Sequence, residues 1–278
     1  MIEWYASIDS AQARFNEIRA AADALQEQVY SSGQLDGWCV ICRQQTRFRL
    51  PLGTDGSWIN LRECLVCECG MNARMRMIVS ALDAAPPPPR FVMMERITPL
   101  YSKVQERYPY AEGCEFFGAD VSPGSMHNIG QLEVRHENLL ALSYPDRELQ
   151  CIFHGDVLEH VPDIGQALRE CHRVLAPGGL MLFTCPMTNM RRHIVRAKFT
   201  NGLIQHILPA AYHGNPMDDS GALVFTEPGL QLLDDIREVG FGVAEIGIAF
   251  DAKQGILRDG NPYEEYNMWP VIFRAMRY

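Results

Sequence analysis

Cys39 and Cys42 are separated by two residues, and Cys64, Cys67 and Cys69 follow after a gap sized for a hairpin. Thiolates paired on two tight turns can close a tetrahedron around zinc. Five of the nine cysteines fall in this short segment, which is polar and rich in turn residues such as Gly53-Thr54-Asp55-Gly56. A set of buried free thiols fits so polar a segment poorly. Spacing leaves the fourth ligand open. Cys64 completes a second CxxC with Cys67, whereas Cys69 precedes Gly70, where backbone N–H groups can turn toward sulfur. Four thiolates leave no open coordination position, so the expected zinc is structural. Loss of Cys39 is expected to affect this segment alone.

A second group of chemically capable residues lies further on. Glu95, Asp120, Asn138 and His154 each fall at or just beyond the end of a run that reads as a strand. His160 follows Glu159 at a helix start, and His213 sits in the loop Tyr212-His213-Gly214-Asn215-Pro216. Histidine titrates near neutrality, so each of His154, His160 and His213 is a candidate base. Each has a plainer alternative. His160 can bond a neighbouring backbone group, Asp120 can cap the turn before Ser122-Pro123-Gly124, and Cys185-Pro186 can be a buried turn.

These residues need elements to place them. Residues 8–30 read as a helix whose Ile8, Ala11, Phe15, Ile18, Ala22, Leu25 and Val29 recur three and four apart. That stripe either packs on its own domain or forms a homodimer seam. A helix is expected across Asn72–Ala84, and Pro86-Pro87-Pro88-Pro89 reads as an extended spacer. Beyond it strands and helices alternate. Strands are expected at 90–95, 114–121, 132–136, 149–154 and 180–184, with a helix from Thr98-Pro99 and another carrying Ile164, Ala167, Leu168, Cys171, Val174 and Leu175 on one face. A helix at 229–239 and strands at 243–250 and 271–276 follow, the last two as an antiparallel hairpin. This alternation predicts an α/β fold: a Rossmann-like, doubly wound, mostly parallel sheet with an N-terminal helix and a small zinc ribbon. The expected divisions are an N-terminal helix over 1–33, a zinc module with linking helix over 34–85 and the Rossmann-like domain over 90–278.

The run His154-Gly155-Asp156-Val157-Leu158-Glu159-His160-Val161-Pro162-Asp163, continued by Ala167-Leu168-Arg169-Glu170 and Arg173-Val174-Leu175-Ala176-Pro177-Gly178-Gly179, resembles the post-motif-I block of class I S-adenosylmethionine-dependent methyltransferases. Phe117-Gly118-Ala119-Asp120-Val121-Ser122 is similar to the second strand of that family, and Asn138 stands where the family often has Asp beside the adenine. The resemblance covers roughly residues 90–250. The cysteine segment, with Arg62-Glu63 ahead of Cys67, resembles a bacterial subgroup that places a zinc module before such a domain. It implies S-adenosylmethionine as cofactor, held by Glu95, Thr98, Asp120 with Val121, Asn138 with Leu139, and His154. It also implies His213, His154 or His160 as the catalytic group. The chain departs from the family in its first loop, where Glu95-Arg96-Ile97-Thr98-Pro99 holds no glycine. Glu95 and the helix N-terminus at Thr98 are the expected replacement for the amino-acid end of the cofactor.

The implied reaction is O- or N-methylation of a small-molecule or sugar-like acceptor. The net charge of −9 points away from nucleic acid. A zinc-ribbon RNA methyltransferase is the alternative, motivated by Arg43, Arg47, Arg49, Arg62, Arg74 and Arg76, with a further basic group at Arg191, Arg192, Arg196 and Lys198. A non-catalytic scaffold with a relic fold is a third, motivated by the missing glycines. No apolar run is long enough to span a bilayer and the N-terminus has no signal-like h-region, so a reducing cytoplasm is expected.

Overall fold

The computed structural model describes residues 2–50, 61–188, 190–215, 217–258 and 268–278. The chain forms two compact units. One contains Met1–Pro86, Met187–Arg191 and Glu245–Ile272, and the other contains Pro87–Pro186, Arg192–Ala244 and Phe273–Tyr278. The boundary at Pro86 falls in the tetraproline run. Within 90–278, residues 187–191 and 245–272 cluster with the first unit.

The first unit begins with β1 (Ile2–Tyr5), α1 (Ile8–Ser32), β2 (Gln34–Cys39), β3 (Gln44–Arg49), α2 (Leu61–Cys64) and α3 (Ala73–Ala84). The Ser7 hydroxyl accepts from the Ser10 N–H to start α1, and Gly33, at φ 68°, ends it. Ala11, Phe15, Ile18, Ala22 and Val29 of α1 are buried within this chain, and the Phe15 ring lies 4.9 Å from that of Trp269. Five of the seven stripe residues are thus covered within the chain, and Ile8 and Leu25 are half-buried. Asn72 caps α3 by accepting from the Met75 N–H at 2.9 Å.

From Pro87 the chain builds β4 (Phe91–Met93), α4 (Pro99–Arg107), β5 (Glu112–Glu115), β6 (Met126–Ile129), β7 (Leu132–His136), β8 (Leu149–Gly155), α5 (Ile164–Val174) and β9 (Leu175–Thr184). Then come β10 (Met187–Thr188), β11 (Ile194–Val195), β12 (Ala197–Thr200), β13 (Leu203–His206), β14 (Tyr212–Asn215), β15 (Asp218–Leu223), β16 (Thr226–Glu227), α6 (Leu232–Val239), β17 (Val243–Ala249), β18 (Met268–Trp269) and β19 (Val271–Met276).

In the second unit the strand order is β6-β7-β5-β4-β8-β9-β19. β4 lies parallel to β5 and β8, β5 to β7, and β8 to β9, while β6 and β19 run antiparallel to their neighbours. The chain moves outward from β4 through β5 to β7, then returns to β8 on the other side of β4. This is a Rossmann-like, doubly wound sheet with its topological switch between β4 and β8, and ligands of such sheets bind in the crevice beyond the carboxyl ends of the strands there. In the first unit β1 pairs antiparallel with β17, and β10 with β18. The Ala249 N–H donates to the Pro270 carbonyl and the Gly242 N–H to the Met276 carbonyl, the antiparallel run expected of β17 and β19.

Three boundaries differ from the sequence expectation. The strand expected to reach residue 121 stops at Glu115, the last residue paired with β7, and Phe116 beyond it is 52% exposed. β9 begins at Leu175, running through Ala176-Pro177-Gly178-Gly179 before the expected start. The loop expected around His213 is instead part of the hairpin β14–β15, which follows the hairpin β12–β13.

Candidate functional site

Two side-chain clusters among the described residues could hold a metal: Cys39 with Cys42, Cys67 and Cys69, and Glu159 with His160 and His213. The first is built by two turns. β2 and β3 form a hairpin whose connection bears Cys39 and Cys42, with Arg43 at φ 55° and its N–H on the Cys39 carbonyl. The Cys42 N–H points at Cys39 Sγ, 3.4 Å away. In the second turn Gly70, at φ 74°, donates to the Cys67 carbonyl. That left-handed position suits glycine. Cys67 Sγ lies 3.5 Å from Cys39 Sγ, 3.7 Å from Cys42 Sγ and 2.9 Å from Cys69 Sγ. Zinc–sulfur bonds of about 2.3 Å in a tetrahedron place sulfurs about 3.8 Å apart, so two of these spacings already suit one ion. Cys64 is outside the cluster, at the end of α2, so the four-thiol set takes Cys69.

Arg62-Glu63, part of the motif read beside the cysteines, is a clamp. Glu63 accepts from Arg62 Nη1 at 2.6 Å, Asn72 Nδ2 at 2.6 Å and Arg74 Nε at 3.3 Å, tying α2 to the start of α3. Arg76 is fully buried in the same unit. Its guanidinium donates to the carbonyls of Gln254 (2.6 Å), Met71 (2.7 Å), Leu65 (3.1 Å) and Gly255 (2.8 Å) and lies over the Phe48 ring. Sequence reasoning had counted it as a surface cation.

At the carboxyl ends of β4 and β5 the expected cofactor residues are differently placed. Thr98 caps α4 by accepting from the Tyr101 N–H at 3.1 Å, and its hydroxyl donates to Glu95 Oε2. Asp120 is exposed in a turn five residues past the end of β5, with Val121 half-buried beside it. The acid at the strand end is Glu115, which the sequence reading missed. Its Oε1 accepts from the backbone N–H groups of Arg96 (2.7 Å) and Ile97 (3.0 Å), and burial raises its carboxyl pKa. The loop after β4 therefore presents its amides to Glu115. The Arg96 guanidinium lies over the Tyr101 ring at 4.7 Å, and a Cβ at Gly113 would collide with both side chains. Asn138 Oδ1 accepts from the Leu140 N–H, closing a local turn, and Leu139 is buried.

His154, expected at the strand end, lies inside the strand. It is fully buried within β8, stacks on Phe183 at 4.7 Å, and neither ring nitrogen has a hydrogen-bond partner among the described residues. Burial pushes its pKa down to about 3. The imidazole is therefore held neutral against the Phe183 ring. The strand ladder continues past it to Gly155, paired with Thr184.

The second cluster follows directly. Asp156, at φ 54°, turns the chain out of β8. The Thr184 hydroxyl donates to its carboxylate at 2.8 Å, and its own N–H donates to the Thr184 carbonyl. That turn carries Glu159 and His160. Glu159 is fully buried, and burial raises its carboxyl pKa. His160 Nε2 and His213 Nδ1 each lie 3.6 Å from Glu159 Oε1, with the two rings edge to face at 5.0 Å. His213 arrives on β14, where it pairs with Ala222 of β15, and the Leu223 carbonyl of β15 is 2.9 Å from His160 Nδ1. The Phe225 N–H donates to the Glu159 carbonyl. Glu159 is the member sequence reasoning left without a role. The remaining residues of the block brace the loop between β7 and β8. Glu170 accepts from the Leu142 N–H at 2.9 Å, and Arg173 donates to the Leu142 and Tyr144 carbonyls.

Residues 102–183 match the family model of a methyltransferase domain. A probable S-adenosylmethionine-dependent methyltransferase of Mycolicibacterium smegmatis is 39% identical over 56 residues, 20% of this chain and 22% of that protein. Malonyl-(acyl-carrier protein) O-methyltransferase 1 of Coxiella burnetii is 32% identical over 115 residues, 36% of this chain and 39% of that one. Among solved structures, an S-adenosylmethionine-dependent methyltransferase of Mesorhizobium loti aligns over 72% of this chain and 98% of its own at 16% identity, with TM-score 0.45. The chain spans between about a fifth and two fifths of the length of these two curated relatives. The family match runs from within α4 to near the end of β9.

Proposed function

We propose that the protein transfers a methyl group from S-adenosylmethionine to an oxygen or nitrogen atom of a small, hydroxylated acceptor. The observation that carries this is that the matched residues 102–183 include β5 and β8, the strands flanking β4 at the switch point, with Glu115 ending β5 and Asp156 following β8. The residues fit such a cofactor. Glu115 Oε2 makes no hydrogen bond among the described residues, while Oε1 is fixed by two amides, so a held carboxylate faces outward from the strand end, where a ribose diol can donate. Glu95 offers a carboxylate for an ammonium group beside the N-terminus of α4. When bound, the sulfonium of the cofactor supplies the activated methyl group. The protein positions both partners and excludes water, and the Glu159–His160–His213 cluster lies on the acceptor side.

The cysteine cluster is proposed to hold one structural zinc through Cys39, Cys42, Cys67 and Cys69. The RNA-directed alternative is weakened by its own arginines. Arg47 is paired with Asp36, Arg62 and Arg74 with Glu63, Arg191 with Asp9 and Arg196 with Glu227, and Arg76 is buried.

Calorimetric titration with S-adenosylmethionine and its demethylated product tests the reading and separates it from a non-catalytic scaffold. Binding is expected in the wild type. Glu115→Gln should cost about 1.5–3 kcal/mol of affinity, the range of a hydrogen bond to a charged acceptor. Asp120→Ala should leave affinity within about twofold. Absence of binding to either compound refutes the proposal, and equal effects of the two substitutions refute the placement of the ribose.

A further inference from the structure

Neither carboxylate oxygen of the buried Glu159 has a hydrogen-bond partner among the described residues. An isolated carboxylate is costly in such a place. Two imidazole nitrogens face Oε1, each at 3.6 Å, beyond ordinary hydrogen-bond length. The tautomer of His160 sharpens the conflict. Its Nδ1 lies 2.9 Å from the Leu223 carbonyl, which can only accept, so Nδ1 carries the ring proton. In the neutral ring, Nε2 is then a lone pair directed toward a carboxylate oxygen. These groups repel unless a positive centre lies between them. A shared proton would draw them to about 2.7–2.9 Å. Two ligands on one cation, with bonds of about 2.0–2.2 Å in a tetrahedron, stand about 3.3–3.6 Å apart instead.

We propose that Glu159, His160 and His213 form a second metal site, for a first-row divalent cation, with its remaining positions open to oxygen ligands. One donor atom from each of the three residues lies within 4.8 Å of the other two. Two imidazoles and one carboxylate suit Mn²⁺, Fe²⁺ or Zn²⁺ better than Ca²⁺. The Leu223 carbonyl supplies the outer hydrogen bond that fixes a metal-bound histidine in its tautomer. The hairpin β14–β15 therefore provides one ligand and orients a second. Unlike the four-thiol cluster, this one has three protein donors, and His213 is 41% exposed, so a water or a hydroxyl can complete the coordination. A hydroxyl held there is acidified by the cation and releases its proton to solvent more readily. That last assignment, of the open position to the acceptor, rests on the methyl-transfer reading. The cation site does not.

The test is a titration of Mn²⁺ into full-length protein carrying one zinc per chain, freed of excess zinc and without S-adenosylmethionine, with free Mn²⁺ read by electron paramagnetic resonance. One saturable site per chain is expected, weakened at least about tenfold in Glu159→Gln and in His213→Ala. His213 is on an exposed strand, so its variant reports on the site even where Glu159→Gln fails to fold. No saturable binding in the wild type, or unchanged binding in His213→Ala, overturns the site. The calorimetric titration with S-adenosylmethionine separates the two claims. Mn²⁺ binding without cofactor binding sustains the metal site and removes the methyl-transfer reading, and cofactor binding without Mn²⁺ binding does the reverse.

Discussion

Replacing Arg76 with methionine should destabilise the first unit by about 3–5 kcal/mol, the range for breaking a buried charged contact. The guanidinium donates four hydrogen bonds, to Leu65 and Met71 on one side and to Gln254 and Gly255 on the other. Each buried carbonyl left unsatisfied costs about 1–3 kcal/mol. The full sum is not realised, because removing the cation also removes its desolvation penalty, and methionine keeps most of the packing on Phe48. Burial lowers the Arg76 pKa to about 10, so the group is still charged at neutral pH. Urea unfolding followed by circular dichroism measures the loss, and a chromophoric chelator follows zinc release in the same samples. Both transitions should move to lower urea together, because one side chain ties the second cysteine turn to the returning segment. A change below about 1 kcal/mol would show that the carbonyls find water and that the clamp is dispensable. The same geometry revises the expectation that losing Cys39 disturbs only the N-terminal segment, since residues 254–255 share its anchor.

Three further outcomes follow from the geometry. Cys69→Ser should abolish stoichiometric zinc, and Cys64→Ser should leave it intact, as elemental analysis of the purified variants will show; equal zinc loss would reject the four-thiol assignment. Glu170, held below its usual range first by the hydrogen bond from Arg173, contributes stability that is present above about pH 4.3, its unfolded pKa. That contribution is lost as pH falls through the folded value, so Glu170→Gln should flatten the acid limb of the stability curve, and an unchanged limb would count against the clamp. Gly37→Ala should destabilise the first unit by more than about 1 kcal/mol in urea, because a Cβ there would lie 2.2 Å from the Lys253 carbonyl oxygen, and a neutral substitution would contradict that approach.

Much of the fold was legible because local signals agreed with tertiary ones. Asn72 and Gly33 mark helix ends, and the apolar faces of α1 and α5 are the buried ones. The site was less legible, for specific reasons. Phe116-Phe117 extends the apolar run of β5 beyond its ladder, so the sequence placed the strand end at Asp120 and passed over Glu115, the acid at which the ladder stops. His154 looked like a strand-end residue because a polar residue follows an apolar run, yet the ladder goes one residue further and buries it. Hairpins β12–β13 and β14–β15 show little apolar alternation, since much of their surface faces solvent, so nothing local announced them. The return of 245–272 to the first unit is a tertiary choice that periodicity does not carry.

The partners of Glu159 come from places far apart in the chain. His160 is its neighbour and is set by the turn after β8, whereas His213 must be brought back across 53 residues by a hairpin held through the Val224 N–H on the Ala211 carbonyl and the Phe225 N–H on the Glu159 carbonyl. Proteins open in pieces, and a peripheral hairpin of exposed strands opens at a lower free energy than a central parallel sheet. The cluster can therefore come apart and re-form while β8 and β9 stay paired, its lifetime governed by the hairpin. In hydrogen exchange, the amides of Val224 and Phe225 would record that local opening well before those of Ile152 or Leu182 record the sheet.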